Sequence, residues 1–388
     1  MVFVSEYLVP DYFPSFSCKM GACRHACCEG WPISFTMTDY FRLLSVECSP
    51  ELRRRLDGAM HLKRNASPEA YAEISPRWDG HCPLHMEDGR CMLHAELGGD
   101  MLAAVCQLYP RGVRQRSREC SCANSCEATL ELFLHRNAPI TFIRQKLTYS
   151  LPDQPPRQYV FAAEDKEQPI RLWLIRQLQQ RDLSMPHRLV RLGCALLAIE
   201  QAIEANDNDR IDRLLSGEES FPVAHPDAPD REHLLAGMAS AERMLAIMDE
   251  GSHSIHDYGE SALRYFGQGE EALDRYEAAR EQFAALLPDW ETWFEHMLVN
   301  HMYFSQFPFQ DRPVPLKDEF LALCAAYALV RFLCVGWSAQ HPSTEAVVDA
   351  AAAAFRLIQH TEFDRYAAHL LRKLGCDEQS VLWSILAL

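Results

Sequence analysis

Beyond residue 151 the chain is patterned for helices. Leu234, Leu235, Met238, Ala241, Met244, Leu245 and Met248 recur at three- and four-residue spacing, which places them on one helical face. The same period runs through 187–204, 270–287, 318–336, 345–358 and 363–374. No strict internal repeat and no sustained heptads accompany it, so the pattern predicts a bundle of about eight or nine helices. The stretch 217–230, with Pro222, Pro226 and Pro229, is its clearest loop. The longest apolar run, Phe320 to Trp337, is interrupted by Arg331 and is short for a bilayer, which predicts a buried helix.

The N-terminal third alternates short extended pieces with turns. Tyr12 to Phe16 is expected to be extended, because Pro14 disfavours helix in the residue before it. Thr38 suits the N-cap of a helix carrying Tyr40, Phe41, Leu43 and Leu44. Residues 51–75 read as helical, and Asp79-Gly80 and Glu87-Asp88-Gly89 as turns. Met92 to Leu108 forms one helix unless Gly98-Gly99 breaks it. Composition shifts sharply across Leu151 to Pro156, which sets expected domains of 1–150 and 151–388. The expected fold class is mostly α: a cysteine-rich, metal-binding N-terminal domain with short extended segments, then a C-terminal helical bundle.

Composition narrows the function. A net charge of −16 argues against a nucleic-acid partner, which would need a basic face to displace counterions. The acidity is uneven: residues 1–130 hold 14 Lys/Arg against 16 Asp/Glu, and the remainder 24 against 38. The opening MVFVSEYLVPDYF carries Glu6 and no basic segment before a long apolar run, so it does not read as a secretory signal. The expectation is a cytoplasmic chain with no membrane partner, in a compartment where thiols bind metal more often than they pair.

Eleven of the fifteen cysteines lie in the first 126 residues. Cys18-x4-Cys23-x3-Cys27-Cys28 packs four thiols together, and Cys82, Cys91, Cys106 and Cys126 follow, with Cys120 and Cys122 beside the last. Thiolates are the preferred ligands of soft metal centres, and one four-iron cluster takes about four of them. Structural zinc is the competing reading. It favours paired CxxC knuckles or Cys/His mixtures; the chain has no CxxC, but His25, His81, His85 and His94 stand near the cysteines and could replace a thiolate. In an extended stretch the neighbours Cys27 and Cys28 would point to opposite sides. Cys194, Cys324, Cys334 and Cys376 fall on apolar helical faces and read as core.

The string F-x-C-x4-C-R-x2-C-C-x-G-W, followed by C-P-L-x6-C, C-x2-Y-P-R and a final cysteine before Glu127, resembles the flagellin lysine-N-methylases. Its first part is also similar to a broader group of small proteins credited with zinc or iron chelation through a CxxxCxxCC signature. Here each of the first two gaps is one residue longer, which favours the methylase branch. The resemblance covers roughly residues 8–130; for the helical part it is architectural only. It implies an iron–sulfur enzyme, 4Fe-4S by preference, that moves a methyl group from S-adenosylmethionine to lysines of flagellin or another lysine-bearing protein. It also implies cluster ligands among Cys18, Cys23, Cys27, Cys28, Cys82, Cys91, Cys106 and Cys126. Eight thiols exceed the need of one cubane, so either two centres form or some thiols are structural.

Methyl transfer to lysine requires a neutral amine, whereas a free ε-amine has a pKa near 10.4. Desolvation or a base must remove that proton. His25, Glu29, His81 and Tyr109 are the candidates near the cysteines. Trp31 could hold the sulfonium by cation–π attraction, and Arg111 could take the cofactor carboxylate with its planar fork; both also suit structural roles. Arg114, Arg116 and Arg118 extend that basic stretch. No GxGxxG follows a strand, and Gly30 stands where a CxxxCxxC motif would need its third cysteine. The alternatives are a non-catalytic zinc- or iron-binding interaction module and a redox iron–sulfur protein.

Overall fold

The computed structural model describes residues 3–25, 27–149, 161, 164–249, 255–310, 314–373, 375 and 379–388. The chain divides into two compact units, Met1–Thr129 with Phe142–Pro155, and Leu130–Thr141 with Pro156–Leu388.

In chain order the first unit contains β1 (Phe3–Pro10), β2 (Ile33–Phe35), α1 (Met37–Ser45), α2 (Pro50–Ala59), β3 (Met60–Leu62), β4 (Ala72–Ile74), α3 (Met92–Leu97), α4 (Ala104–Leu108), β5 (Arg111–Arg114) and β6 (Glu119–Cys122). Then comes α5 (Glu127–Leu134), whose later residues belong to the second unit, and finally β7 (Phe142–Tyr149). One sheet runs β5-β6-β1-β7. Its backbone is β1, antiparallel to β7 from Phe3↔Tyr149 to Pro10↔Phe142 and parallel to β6 at Leu8↔Glu119. The other runs β2-β4-β3, antiparallel throughout.

The local chemistry explains most boundaries. Thr36 caps α1 by accepting from Asp39 N at 3.1 Å, so this helix starts two residues before the expected Thr38 cap. Ser49 caps α2 with Pro50 at its first position. The helix expected over 51–75 stops at Ala59. Beyond it Met60–Leu62 pairs with Ala72–Ile74, and Pro68 in the connecting turn lacks the N–H a helix would need. Met92–Leu108 is broken at Gly98 (φ +86°), leaving α3 and α4 separate. Arg111 and Arg114 lie on β5, opposite Cys122 and Glu119 of β6. Ile33, Phe35, Leu43, Leu52, Leu56, Ile74, Leu84 and Leu93 form the core around the small sheet.

The second unit is helical: α6 (Glu164–Leu178), α7 (Met185–Glu204), α8 (Asn208–Ser216), α9 (Arg231–Asp249), α10 (His256–Phe266), α11 (Glu270–Leu286), α12 (Trp290–Ser305), α13 (Leu316–Ser338), α14 (Thr344–His360), α15 (Phe363–Lys373) and α16 (Gln379–Leu386). This exceeds the expected number because α8 and α16 are short and α12 is buried on nearly all sides, polar residues included, so its amphipathic period is weak. The loop over 217–230 is present between α8 and α9. Helix α13 carries the long apolar run and is packed by α7, α9, α10, α11, α14, α15 and α16, as expected of a buried helix. Cys324 and Cys334 are core and Cys194 is half-buried; Cys376, like the boundary stretch 151–156, lies outside the described residues.

Residues 130–141, expected in the first domain, belong to the second unit because its side chains satisfy their carbonyls. Trp293 Nε1 donates to Leu130 O at 3.1 Å, Gln179 Nε2 to Ile140 O at 3.0 Å, and Arg181 Nη1 to Asn137 O. His296 Nε2 lies 3.0 Å from Ala138 O. Beside it the fully buried Glu295 takes two bonds from Arg181 at 2.8 Å and one from Arg188 at 3.0 Å.

Candidate metal and cofactor site

The eight cysteines carried over from the resemblance line one cavity of about 550 Å³ in the first unit. Cys18, Cys23, Cys27 and Cys28 come from the loop after the turn Phe13–Ser15. Cys82 and Cys91 flank a turn, Cys106 rides on α4, and Cys126 precedes α5. Cys120 and Cys122 do not line it. They are buried on β6, where Cys120 Sγ lies 3.7 Å from Tyr149 Oη and Cys122 N donates to Tyr12 Oη at 3.2 Å.

Backbone contacts hold the walls in register. Gly21 (φ +111°) and Gly89 (φ +81°) cross where the first cysteine loop meets the Cys82–Cys91 turn. A Cβ on Gly89 would run into Gly21 O, and one on Gly21 would sit 2.8 Å from Arg90 Cγ. Gly30 N donates to Gly80 O at 2.8 Å, tying the same loops at a second point. Buried Asp39 accepts from Ala104 N at 3.3 Å and from Arg42 Nη2 at 2.7 Å. Arg42 in turn donates to Asp100 O and Leu102 O, which fixes the link leading to Cys106. Buried Glu127 accepts from Lys19 Nζ at 2.8 Å, Arg24 N at 3.1 Å and His25 N at 3.4 Å. Burial alone would raise its carboxyl pKa, but Lys19 and Arg24 outweigh that and hold it below the usual range.

The thiols fall into two neighbourhoods. Cys82 belongs to the small-sheet core, and Cys28, Cys91 and Cys106 pack against that core. Cys23 instead lies near Glu127, Cys126, Cys18 and Cys27. Cys27 borders both groups. Because 27–28 form a turn rather than an extended stretch, their thiols are not on opposite sides: the Cys28 thiol lies close to those of Cys27 and Cys82.

Crowding governs the ionisation. Burial, then Glu127 and the neighbouring cysteines, pushes Cys23 up to about 12. For Cys28 the Cys27 thiol pulls down, but Cys82, burial and nearby cysteines reverse it and raise the thiol to about 12. Burial also raises Cys91, Cys106 and Cys126. Without a cation these thiols stay protonated, and a metal entering here would displace their protons. Among the described residues no three His, Cys, Asp or Glu side chains gather tightly enough to hold a single ion. The sulfurs surround a space, and a metal-binding domain is therefore an expectation without a coordinated centre to show for it.

The remaining candidates separate on geometry. Tyr109 and Arg111 line the cavity; Trp31, His25 and Glu29 do not. Trp31 stands beside Tyr109, ring centroids 5.9 Å apart, and packs against the core, so its place is behind the wall. Tyr109 Oη and Ser125 Oγ are 3.0 Å apart. His25 Nδ1 lies 3.6 Å from Glu29 Oε2, and His81 stacks on His85, which lines the cavity with His94. Arg111 lies over Phe16, Cζ 5.1 Å from the ring centroid, and no carboxylate pairs with it among the described residues. Sequence reasoning missed Phe16, Asp39, Gly21, Gly89 and Glu127. Sequence signals existed for three of them: Phe16 opens the F-x-C string, Gly89 ends the expected Glu87-Asp88-Gly89 turn, and Glu127 directly follows Cys126.

Residues 171–380 match the family model described as the FliB lysine N-methylase C-terminal domain. The lysine-N-methylase of Salmonella typhimurium strain LT2 is 30% identical over 103 residues, 26% of this chain and 25% of that protein. The lysine-N-methylase of Salmonella choleraesuis strain SC-B67 gives the same figures. The alignment thus spans about a quarter of the length of these relatives. No solved structure matches. With more than half of its residues matching the family model, and with a cysteine spacing that resembles the same group, the chain belongs to the FliB lysine N-methylase family.

Proposed function

We propose that this chain is a protein-lysine N-methyltransferase that uses S-adenosylmethionine, acts on flagellin, and carries an iron–sulfur centre among its cavity cysteines. The observation that supports it is the convergence of eight distant cysteines, with Arg111 and Tyr109, on one cavity. A wall that carries eight soft thiols around a space with room for several atoms fits a polynuclear centre; a single zinc ion needs four donors about 2.3 Å from one point. Cys28, Cys82, Cys91 and Cys106 would hold such a centre, with Cys18, Cys23, Cys27 and Cys126 as the further donors. Bound there, it would supply electron transfer or an open iron position.

The chain's own residues have separable tasks. Arg111, uncommitted to any carboxylate among the described residues, rests on the Phe16 ring and offers a fork for the carboxylate of the cofactor. Trp31 packs against the core beside Tyr109 and supports it. Lysine must reach the methyl donor neutral, so that its lone pair forms the N–C bond as the S–C bond breaks. Tyr109 is the cavity-facing candidate to pass that proton through its hydroxyl to water as the final acceptor, with Ser125 as its hydroxyl partner. His25 and Glu29, outside the wall, orient their own loop.

Anaerobic purification with iron and sulfide analysis, calorimetry with S-adenosylmethionine, and mass spectrometry of flagellin co-expressed with the chain test this reading. Bound iron and sulfide, measurable cofactor affinity and methyl mass gains on lysines are the expected results. Zinc alone with no cofactor affinity would establish the interaction-module alternative. A reversible cluster with no methylation would establish the redox one.

A further inference from the structure

We propose that Glu127 is a positioning residue that holds Cys18, Cys23 and Cys126 together as a thiol set separate from Cys28, Cys82, Cys91 and Cys106. The inference deepens the metal-centre reading and rests on it for the identity of the ligand.

The two sets are supported differently. Cys82 is part of the apolar core around the small sheet, and Cys28, Cys91 and Cys106 pack on that core, so burial fixes them. Cys18 is exposed, Cys23 is half-buried, and the described residues of the loop between them and Cys27 form no helix or strand. Besides the Gly21–Gly89 crossing, one carboxylate ties that loop down. Glu127 is 4% exposed, and its oxygens collect Lys19 Nζ, Arg24 N and His25 N, with Arg24 Nη1 at 3.9 Å. The bonds to Lys19 and to two successive amides cannot be replaced by water without exposing the carboxylate, and charge-assisted bonds are the strong kind. Because Glu127 directly follows Cys126, anchoring residues 19–25 on it brings Cys23 and Cys18 beside Cys126. The helix α5 makes the anchor rigid: Glu127 is its first residue, where a negative charge is favoured.

The test uses the full chain with Glu127→Gln and Glu127→Ala. In metal-free, reduced protein, amide hydrogen exchange over residues 19–25 reads the clamp without any metal; protection at Arg24 and His25 should fall roughly tenfold or more. After anaerobic reconstitution with iron and sulfide, alkylation followed by mass spectrometry reads each cysteine. Cys18, Cys23 and Cys126 should become reactive in both variants while Cys28, Cys82, Cys91 and Cys106 keep wild-type protection. Should Glu127→Ala fail to fold, Lys19→Gln removes one bond and should show the same selective pattern at smaller size. Unchanged exchange over 19–25, or equal loss of protection at all seven thiols, overturns the proposal. If the wild type takes up no iron, the metal reading falls, and the exchange comparison still decides the clamp.

Discussion

Arg188 Nη1 meets Glu295 Oε2 at 3.0 Å in a place where neither side chain reaches solvent to any useful extent. Arg181 completes the arrangement from the half-exposed side, with Nη2 2.8 Å from Glu295 Oε1. Removing the carboxylate leaves a buried guanidinium uncompensated. Glu295→Ala should therefore cost about 3–5 kcal/mol in urea denaturation. A loss under about 1 kcal/mol would mean that the guanidinium groups find other partners.

His296, next in sequence, should make stability depend on pH. Burial lowers its pKa to about 4, against 6.5 unperturbed. Nδ1 has no partner among the described residues, so protonation would bury an unpaired N–H. A histidine depressed in the folded state favours folding above its unfolded value. That contribution is lost as pH falls from about 6.5 to about 4, by up to roughly 3 kcal/mol. Denaturation midpoints across this window should show the slope, and His296→Gln should flatten it.

At the crossing of the cysteine loops, Gly89→Ala places a methyl group against Gly21 O on a backbone with φ +81°. The loops must separate. Iron retained per chain should fall by at least about half, while the far-UV circular dichroism, dominated by the helical unit, stays near wild type. Full iron retention would show that the crossing does not set the cavity.

Single serine substitutions should sort the cysteines. Cys82, Cys91 and Cys106 line the cavity, so each replacement should lower iron content; Cys120 and Cys122 lie on β6 outside it, so theirs should not. Iron loss from Cys120→Ser at normal thermal stability would put the site elsewhere.

Arg111→Gln should weaken S-adenosylmethionine binding by about tenfold or more in calorimetry, the worth of one charged hydrogen bond. Iron content should not change, since the guanidinium is not a ligand. Unaltered affinity would move the carboxylate to another group.

The helical half was readable because its apolar period is set by burial on one face. Leu234 to Met248 lies on α9, and 187–204, 270–287, 318–336, 345–358 and the described part of 363–374 lie on helices with only small end differences. The period failed where exposure decided the outcome: Phe41 and Leu44 are half-exposed, and 51–75 became helix plus hairpin through a strand pairing that no local pattern encodes. The cysteines announced their own cavity by type and spacing. What sets its walls was hidden: Glu127 acts across about a hundred positions, and Gly21 meets Gly89 only through tertiary contact. Trp31, which also suited a structural role, packs on the core beside Tyr109, and Phe16 is the ring that Arg111 covers.

The pairing of Phe3–Pro10 with Phe142–Tyr149 has a consequence for biosynthesis. On the ribosome the first strand waits through most of the N-terminal unit for either of its neighbours, and Cys126 is translated long after Cys18. Until then the early sulfhydryls emerge as loose nucleophiles, open to oxidants and stray metals. Delivery of any inorganic centre must follow synthesis of this segment, so cells that make the protein quickly under aerobic conditions should accumulate a scrambled, colourless fraction.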